Sequence, residues 1–583
     1  MSSQKNEWSS RLGVIMAVAG SAVGLGNFLR FPGLAAQYGG GAFMIAYAIS
    51  FLIIGLPIGW AEWAMGRHAG LRGYNSCPGA FATILQRPWA KYVGIIGVIV
   101  PVIIYTYYVY IESWCLGYAV KYWTGGMDLA SSGGAGAFFE KFTGQGGDGA
   151  ALTSSAAFPW LVAVFAFNFW LIYRGISAGI EKMCNLGMPL LILLALLVLA
   201  RVLTLGTPDT ARPHDNVMNG LGYLWNPTKV MLVKDAGEGK TEVVRELVGN
   251  AAVEEGTAEA AKSGGALKVE QRGVMTQLRN PRLWLAAAAQ IFFSLSVGFG
   301  VIVVYASYMK KDDDVVLSGL TASSANEFCE VGLGGLITVP AAVAFLGVAS
   351  VAGQGTFGLG FVVLPQVFEK MPLGAFFGGA FFLMLALAAV TSSISMLQPG
   401  IAFVEEAMGV GRKTSVAILG FITACGTGLV MYFTKGLKAL DTLDFWVGTM
   451  LIFILATIQI IMFGWKWGIA KGMAEANRGA TIQIPAIFGP IMKWLCPMFL
   501  LTIFAMTVLQ DVFGFSLTDF TPGNPSGYVT DLLGGAKEPN HIARISIAFV
   551  LLVAGLFALL CARSPALARA EKGLDNHKPG SNS

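Results

Sequence analysis

Windows of roughly twenty predominantly apolar residues recur about twelve times along the chain, each long enough to cross ~30 Å of hydrocarbon as a helix. They fall near 12–36, 41–66, 92–123, 158–174, 177–202, 283–309, 326–352, 374–404, 413–434, 442–465, 486–511 and 541–562. The pattern predicts an all-α polytopic membrane protein of about 12 transmembrane helices, with the lipid bilayer as its surroundings. An even number of crossings puts both ends on one side. Basic residues mark that side on alternate connections: Lys5 and Arg11, then Arg67, Arg72, Arg87 and Lys91, then Arg174 and Lys182. The series continues through Lys310 and Lys311, Arg412 and Lys413, Lys466, Lys471 and Arg478, and ends with Arg563, Arg569 and Lys572. By the positive-inside rule both termini are expected in the cytoplasm, with the protein multi-pass in a cell (inner) membrane.

Two windows break their own pattern. In the first, Gly20-Ser21-Ala22-Val23-Gly24-Leu25-Gly26 holds three glycines, followed by Asn27, Arg30 and Pro32. Each glycine weakens a helix by up to about 1 kcal/mol relative to alanine, and hydrocarbon penalises the polar side chains. Such a segment is tolerated only where it lines a cavity or packs within protein. The second, Ser296-Val297-Gly298-Phe299-Gly300, repeats the small-Val-Gly-apolar-Gly arrangement of Ala22 to Gly26. Each break opens a set of five windows. This predicts a 5+5 inverted repeat with discontinuous helices 1 and 6 and a binding site at the midplane between them. The repeats are 11–202 and 283–465, with two additional helices over 486–562 and a cytoplasmic tail at 563–583, all within one membrane domain covering 1–583.

Only 13% of the 583 residues are charged and mean hydropathy is +0.64. That is about half the usual charged fraction, so one bundle absorbs most of the length. A net charge of +5 is too small and dispersed for nucleic acid. Cys115, Cys184, Cys329, Cys425, Cys496 and Cys561 lie in or beside apolar runs and Cys77 in a basic loop, so no disulfide framework is expected. His68, His214, His541 and His577 are scattered and form no metal-ligand cluster or triad, which argues against an enzyme. The connection 205–282 is a long extracytoplasmic loop. Its stretch from Lys234 to Arg272 mixes Glu and Lys with Ala and Gly and reads as a solvated, partly helical insertion. Gly239-Lys240-Thr241 within it is not a phosphate-binding loop, because Lys234 stands where the first glycine belongs. The Gly- and Ser-rich stretch 124–157 reads as a flexible connection.

The segment Arg11 to Gly70, with GLGNFLRFP and GGGAFMIAY, resembles the neurotransmitter:sodium symporter family, nearest its bacterial leucine-transporter branch. The resemblance extends through Tyr107-Tyr108-Val109-Tyr110-Ile111-Glu112-Ser113-Trp114, Gln290-Ile291-Phe292-Phe293-Ser294, Tyr305-Ala306-Ser307-Tyr308, Thr391-Ser392-Ser393 and Asp444-Phe445-Trp446. It implies sodium-coupled symport of neutral, apolar amino acids by alternating access, with two sodium ions. The competing expectation is an amino-acid-binding membrane sensor that does not transport, which a large regulatory domain would favour. A homodimer is compatible with either.

The resemblance implies a first sodium site from Ala22, Asn27, Ser294 and Asn326, completed by the substrate carboxylate. It implies a second from Gly20, Val23, Ala388, Thr391 and Ser392. Read without it, Asn27 and Asn326 are also the kind of residue that hydrogen-bonds one membrane helix to another, and Thr391 and Ser392 can each bond a carbonyl one turn back. The matched substrate positions are Ala22, Leu25, Gly26, Ile104, Tyr108, Phe293, Ser294, Ser296, Phe299, Ser392 and Met396. Monoamine carriers of the family have an aspartate at the position of Gly24, so a substrate here must bring its own carboxylate. Arg30 and Asp444, above Tyr108 and Phe293, match an outer gate. Lys5, Trp8, Ser307, Tyr308 and Glu406 match an inner one, although bacterial relatives carry Arg and Asp where this chain has Lys5 and Glu406. A lysine lacks the planar two-point fork. Glu62 and Glu112 are expected to bond amides of the unwound helices rather than to relay protons. Glu330, one turn beyond Asn326, stands where chloride-dependent members have a serine, and the resemblance implies that its negative charge removes the chloride requirement, although it could also simply pack against a polar partner.

Overall fold

The computed structural model describes residues 8–153, 156–235, 241–348, 351, 355–516, 521–535 and 538–576. Among them, nine helices are long and apolar enough to cross a bilayer: Gly41–Gly70, Ala90–Trp123, Ile176–Leu203, Val315–Leu346, Gly374–Met408, Arg412–Tyr432, Lys435–Ala476, Phe488–Val512 and His541–Arg563. Arg11–Ala22 with Gly26–Gln37 forms a tenth crossing, bent by 47°. The shorter Phe158–Tyr173 and the interrupted pair Pro281–Leu295 and Val301–Ala306 complete twelve, numbered below as spans in chain order. Span 7 begins at Val315 rather than at 326. Its first turns carry Ser318, Thr321, Ser323 and Ser324, which dilute the hydropathy. A helix still accommodates such hydroxyls, as where Thr321 Oγ1 donates to the Leu317 carbonyl at 2.7 Å.

The packing has the symmetry an inverted repeat requires. The half-span Arg11–Ala22 packs on the start of span 7, and the half-span Pro281–Leu295 packs on the start of span 2, Gly41–Ser50, in the same way. Exchanging spans 1 and 6 and spans 2 and 7 turns one contact into the other. Each partner has a π-type turn at the crossing, Phe51–Gly55 in span 2 and Phe328–Gly334 in span 7. Each turn uses a glycine for close approach. A Cβ on Gly55 would lie 2.7 Å from Leu295 Cδ1, and one on Gly334 would fall on the Asn27 carbonyl. Span 8, 35 residues long, packs along the length of span 3. Both are buried over most of their length and serve as the scaffold. Span 12 turns Leu551, Leu552, Leu556 and Leu559 outward, as a lipid-facing helix does.

The insertion, expected to be solvated and partly helical, has its helix and also a small sheet. It forms an antiparallel sheet in the order β2-β1-β3, from β1 (Lys229–Asp235), β2 (Thr241–Glu246) and β3 (Leu267–Arg272), with a helix at Asn250–Lys262. The Glu- and Ala-rich helix dominates the composition and masked the short strands beside it. Gly239 and Lys240 lie outside the described residues.

The foot of the insertion rests on the connection between spans 1 and 2. Gly41 N donates to the Asn226 carbonyl at 3.4 Å. Gly40, at φ 56°, comes so close that a Cβ would lie 2.5 Å from the Tyr223 carbonyl. Lys229 is buried there, with Nζ 2.8 Å from Glu246 Oε1, 2.5 Å from the Tyr223 carbonyl and over the Tyr223 ring. Burial pushes the Lys229 ammonium below its ordinary range and the Glu246 carboxyl above it, so each depends on the other to stay charged. Lys229→Met should therefore destabilise the insertion by about 3 kcal/mol, whereas Lys229→Met with Glu246→Leu should recover most of the loss. Thermal unfolding of the purified protein and proteolysis of the insertion measure this. Equal stability of the single and double variants would contradict it.

Candidate binding site at the two helix breaks

The helix of span 1 stops at Ala22 because Val23 turns extended, at φ −74° and ψ 100°, and the outer half resumes at Gly26. Span 6 stops at Ser296, which is left-handed at φ 53° without being glycine, and Gly298 and Gly300 follow at φ 76° and 80°. Strain of this kind persists only where the surroundings fix it. Ser296 Oγ donates to the Ser21 carbonyl at 3.0 Å, which pins one break to the other. Glu62 of span 2 supports the second break, accepting from Gly298 N at 3.3 Å and from Gln459 Nε2 at 2.7 Å.

Carbonyl ends and amide ends therefore meet at one depth. On the carbonyl side, one end of the Asn326 amide lies 3.2 Å from the Ala22 carbonyl and 3.1 Å from the Ser294 carbonyl. Either an N–H serves both oxygens, or the amide oxygen converges with them as a hard cation requires. The donor set is oxygen only, which fits sodium. The Asn27 oxygen accepts from Gly24 N at 2.8 Å, and its amide nitrogen faces Asn326 Oδ1 at 2.8 Å and Glu330 Oε2 at 3.0 Å. Glu330 is fully buried and also accepts from Ser294 Oγ and from Gln290 Nε2 at 2.8 Å. Donors from spans 1 and 6 thus hold a carboxylate against the cluster.

The two hydroxyls of span 8 differ. Thr391 Oγ1 lies 3.1 Å from the carbonyls of Leu387 and Ala388 in its own helix. Ser392 Oγ crosses to span 1, 3.4 Å from the Gly20 carbonyl, 3.2 Å from that of Ser21 and 3.5 Å from that of Val23. Gly20 permits this contact, since a Cβ there would lie 3.3 Å from Thr391 Cβ. On the amide side, Leu25 N donates to Tyr108 Oη at 3.2 Å, so two groups suited to a carboxylate face one another. Ile104, Phe299, Ser296 and Met396 are buried alongside, and Phe293 meets Phe299 edge to face at 5.7 Å.

At the positions expected to form the outer gate, the Arg30 guanidinium lies over the Phe293 ring at 4.4 Å, while Asp444 accepts from Tyr107 Oη at 2.8 Å. Arg30 and Asp444 feel one another's charge without forming a hydrogen-bonded pair among the described residues. At the positions expected to form the inner gate, Trp8 Nε1 donates to the Tyr305 carbonyl at 3.0 Å, and Tyr308 Oη accepts from Gln398 at 3.1 Å. Ser307 Oγ bonds the Val304 carbonyl in its own helix. Glu406 is turned to the connection between spans 2 and 3, where it accepts from Asn75 N at 2.7 Å and Ser76 Oγ at 2.7 Å. Lys5 lies outside the described residues.

Glu112 does not bond an unwound-helix amide. It accepts from Asn168 Nδ2 at 3.0 Å and from Ser393 Oγ, because its side of span 3 faces spans 4 and 8 rather than a break. Sequence reading also passed over Glu327, which accepts from Tyr47 Oη at 3.0 Å, and Gln290, whose motif was visible but whose contact with Glu330 was not.

Two half-helices ending at one depth inside a twelve-span bundle, lined by oxygens and flanked by buried apolar side chains, define a secondary transporter. The chain belongs to the sodium:neurotransmitter symporter family, whose family model matches residues 5–207 and 265–520 and leaves out most of the insertion. The sodium-dependent transporter MJ1319 of Methanocaldococcus jannaschii is 26% identical over 493 residues, 82% of this chain and 86% of its own. A sodium-dependent transporter of Haemophilus influenzae is 25% identical over 520 residues, 86% of this chain and 98% of its own. The sodium-dependent serotonin transporter of Drosophila melanogaster is 24% identical over 545 residues, 87% and 76%. The crystal structure of MhsT in complex with L-phenylalanine superposes with a TM-score of 0.67 at 28% identity, covering 86% of this chain and 99% of that one. This protein is therefore a sodium-dependent membrane transporter for a small molecule, and not an enzyme.

Proposed function

We propose that the protein carries neutral, apolar α-amino acids into the cytoplasm together with two sodium ions, by alternating access, without chloride. In this reading it lies in the cell membrane with both termini cytoplasmic. The observation that carries it is the meeting of the Leu25 amide and the Tyr108 hydroxyl at the break, beside Gly24, which offers no acid of its own. A substrate carboxylate there would satisfy both donors and reach the oxygens of Ala22, Ser294 and Asn326, so sodium and substrate would bind together. The apolar surroundings of Ile104, Phe299 and Met396 favour an uncharged side chain. The phenylalanine bound to MhsT is in keeping with this substrate class. The hydroxyls of Thr391 and Ser392 with the carbonyls of Gly20, Val23 and Ala388 would hold the second ion.

The driving force suffices. One charge entering across ~100 mV releases about 2.3 kcal/mol and a tenfold sodium gradient about 1.4. Two ions supply about 7 kcal/mol, enough to concentrate a zwitterion on the order of 10⁵-fold. The test is competition against labelled leucine in sodium. Phenylalanine and methionine should compete, while leucinamide and tryptamine should bind roughly a hundredfold more weakly, because neither offers a carboxylate to the Leu25 amide and the Tyr108 hydroxyl. Tryptamine competing as well as tryptophan would contradict the reading.

A further inference from the structure

Among the buried groups that the central site does not use, the Glu181 carboxylate has the most specific surroundings. It ends the π-type turn Ile176–Glu181 that opens span 5, and it is 2% exposed. All three of its recorded hydrogen bonds come from the start of span 1. Ser9 N donates to Oε2 at 2.9 Å, Ser9 Oγ donates to Oε1, and Ser10 Oγ donates to Oε1 at 3.2 Å. Ser10 is also the residue that caps span 1, accepting from Gly13 N at 3.0 Å. The fit leaves no room for a side chain opposite, since a Cβ on Gly13 would fall inside the Glu181 carboxylate. One turn deeper on span 5, Cys184 is buried with its Sγ 3.1 Å from where a Gly20 Cβ would sit, and beyond it a Cβ on Gly187 would lie 3.5 Å from Thr391 Cγ2. Glu181 thus closes the mouth of a seam between spans 1, 5 and 8 that leads to the Gly20 carbonyl and the span 8 hydroxyls.

We propose that Glu181 is a positioning residue, the clasp that holds the first turn of span 1 shut over the inner end of this seam, and that Ser9 and Ser10 leave it when the inner side opens. The assignment rests on the alternating-access reading. The bonds suit the task. They are charge-assisted, so they hold the closed state, but both serines are solvent-exposed, so water replaces the carboxylate on release and opening stays reversible. Glu181 approaches from span 5 and not from span 1 itself, so its loss should free the N-terminal end of span 1 without unwinding span 5.

Cys184 is a native reporter. In full-length protein with the exposed Cys425 changed to serine, its reaction with a charged methanethiosulfonate is followed by mass spectrometry of the Cys184 peptide, in sodium and in potassium. Glu181→Gln, Ser9→Ala with Ser10→Ala, and Gly13→Ala should each speed labelling about tenfold in sodium. Thr391→Val should speed it in sodium alone, by removing protection by the ion, and should match wild type in potassium. Glu181→Gln should stay faster than wild type in both salts, an effect that a merely loosened fold with unchanged gating would not separate in this way. Gly13→Ala repeats the test with Glu181 intact, should the Gln variant fold poorly. A wild type indifferent to sodium alongside a fast Glu181→Gln would support the clasp while contradicting alternating access. Labelling at the wild-type rate in both Glu181→Gln and Gly13→Ala overturns the proposal.

Discussion

Gly24→Asp is expected to abolish amino-acid uptake, lowering the initial rate by about a hundredfold or more at equal membrane abundance. A Cβ at this position would lie 2.8 Å from Tyr108 Oη and 3.0 Å from Ser392 Oγ, so even alanine must push apart the two hydroxyls that line the break. Aspartate adds a second effect. Its charge would sit beside the Leu25 amide, where the substrate carboxylate is expected, and repel it in a low-dielectric site. Gly24→Ala separates the two terms, since it keeps the crowding without the charge, and should lose about tenfold. Initial rates of labelled leucine uptake measure both. Near wild-type uptake by the aspartate variant would remove Gly24 from the substrate site.

Glu330→Ser should make uptake depend on chloride, with transport in gluconate falling to background and returning when chloride is restored. The carboxylate is fully buried and takes hydrogen bonds from Ser294, Gln290 and Asn27, two of which also belong to the first candidate sodium site. A buried cation needs a compensating charge nearby. Removing the acid leaves a cavity lined by the same three donors, which is the setting a small anion requires. Wild-type uptake should be the same in chloride and gluconate. If wild type fails in gluconate, or if the serine variant is indifferent to chloride, Glu330 does not replace the anion.

Much of this was legible in the sequence because the breaks are expensive. Glycines and an asparagine inside a lipid-length apolar run have few explanations, and the second occurrence at Gly298 and Gly300 gave the repeat. The roles expected of Ser294, Asn326 and Ser392 came from the resemblance to the family, since their spacing alone also allowed ordinary helix-to-helix hydrogen bonds. What stayed hidden depends on which neighbour a side chain meets. Glu112 and Glu406 are each one of several acids near a helix end or centre, and nothing local distinguishes a partner on span 8 from one on a connecting loop. The clasp at Glu181 joins residues far apart in the chain, with only the absence of a side chain at Gly13 to hint at it. The three strands of the insertion lack clean alternation, so their sheet emerges only once Lys229 is seen buried against Glu246.

Concentrative uptake driven by sodium alone tests the central claim most directly. The purified protein in potassium-loaded proteoliposomes, diluted into sodium gluconate with valinomycin to set the inside negative, should accumulate labelled leucine well above equilibrium. Accumulation should shrink when either the sodium gradient or the potential is removed. Equal uptake in sodium and choline, or uptake that stops at equilibrium with both forces present, would contradict sodium-coupled amino-acid symport.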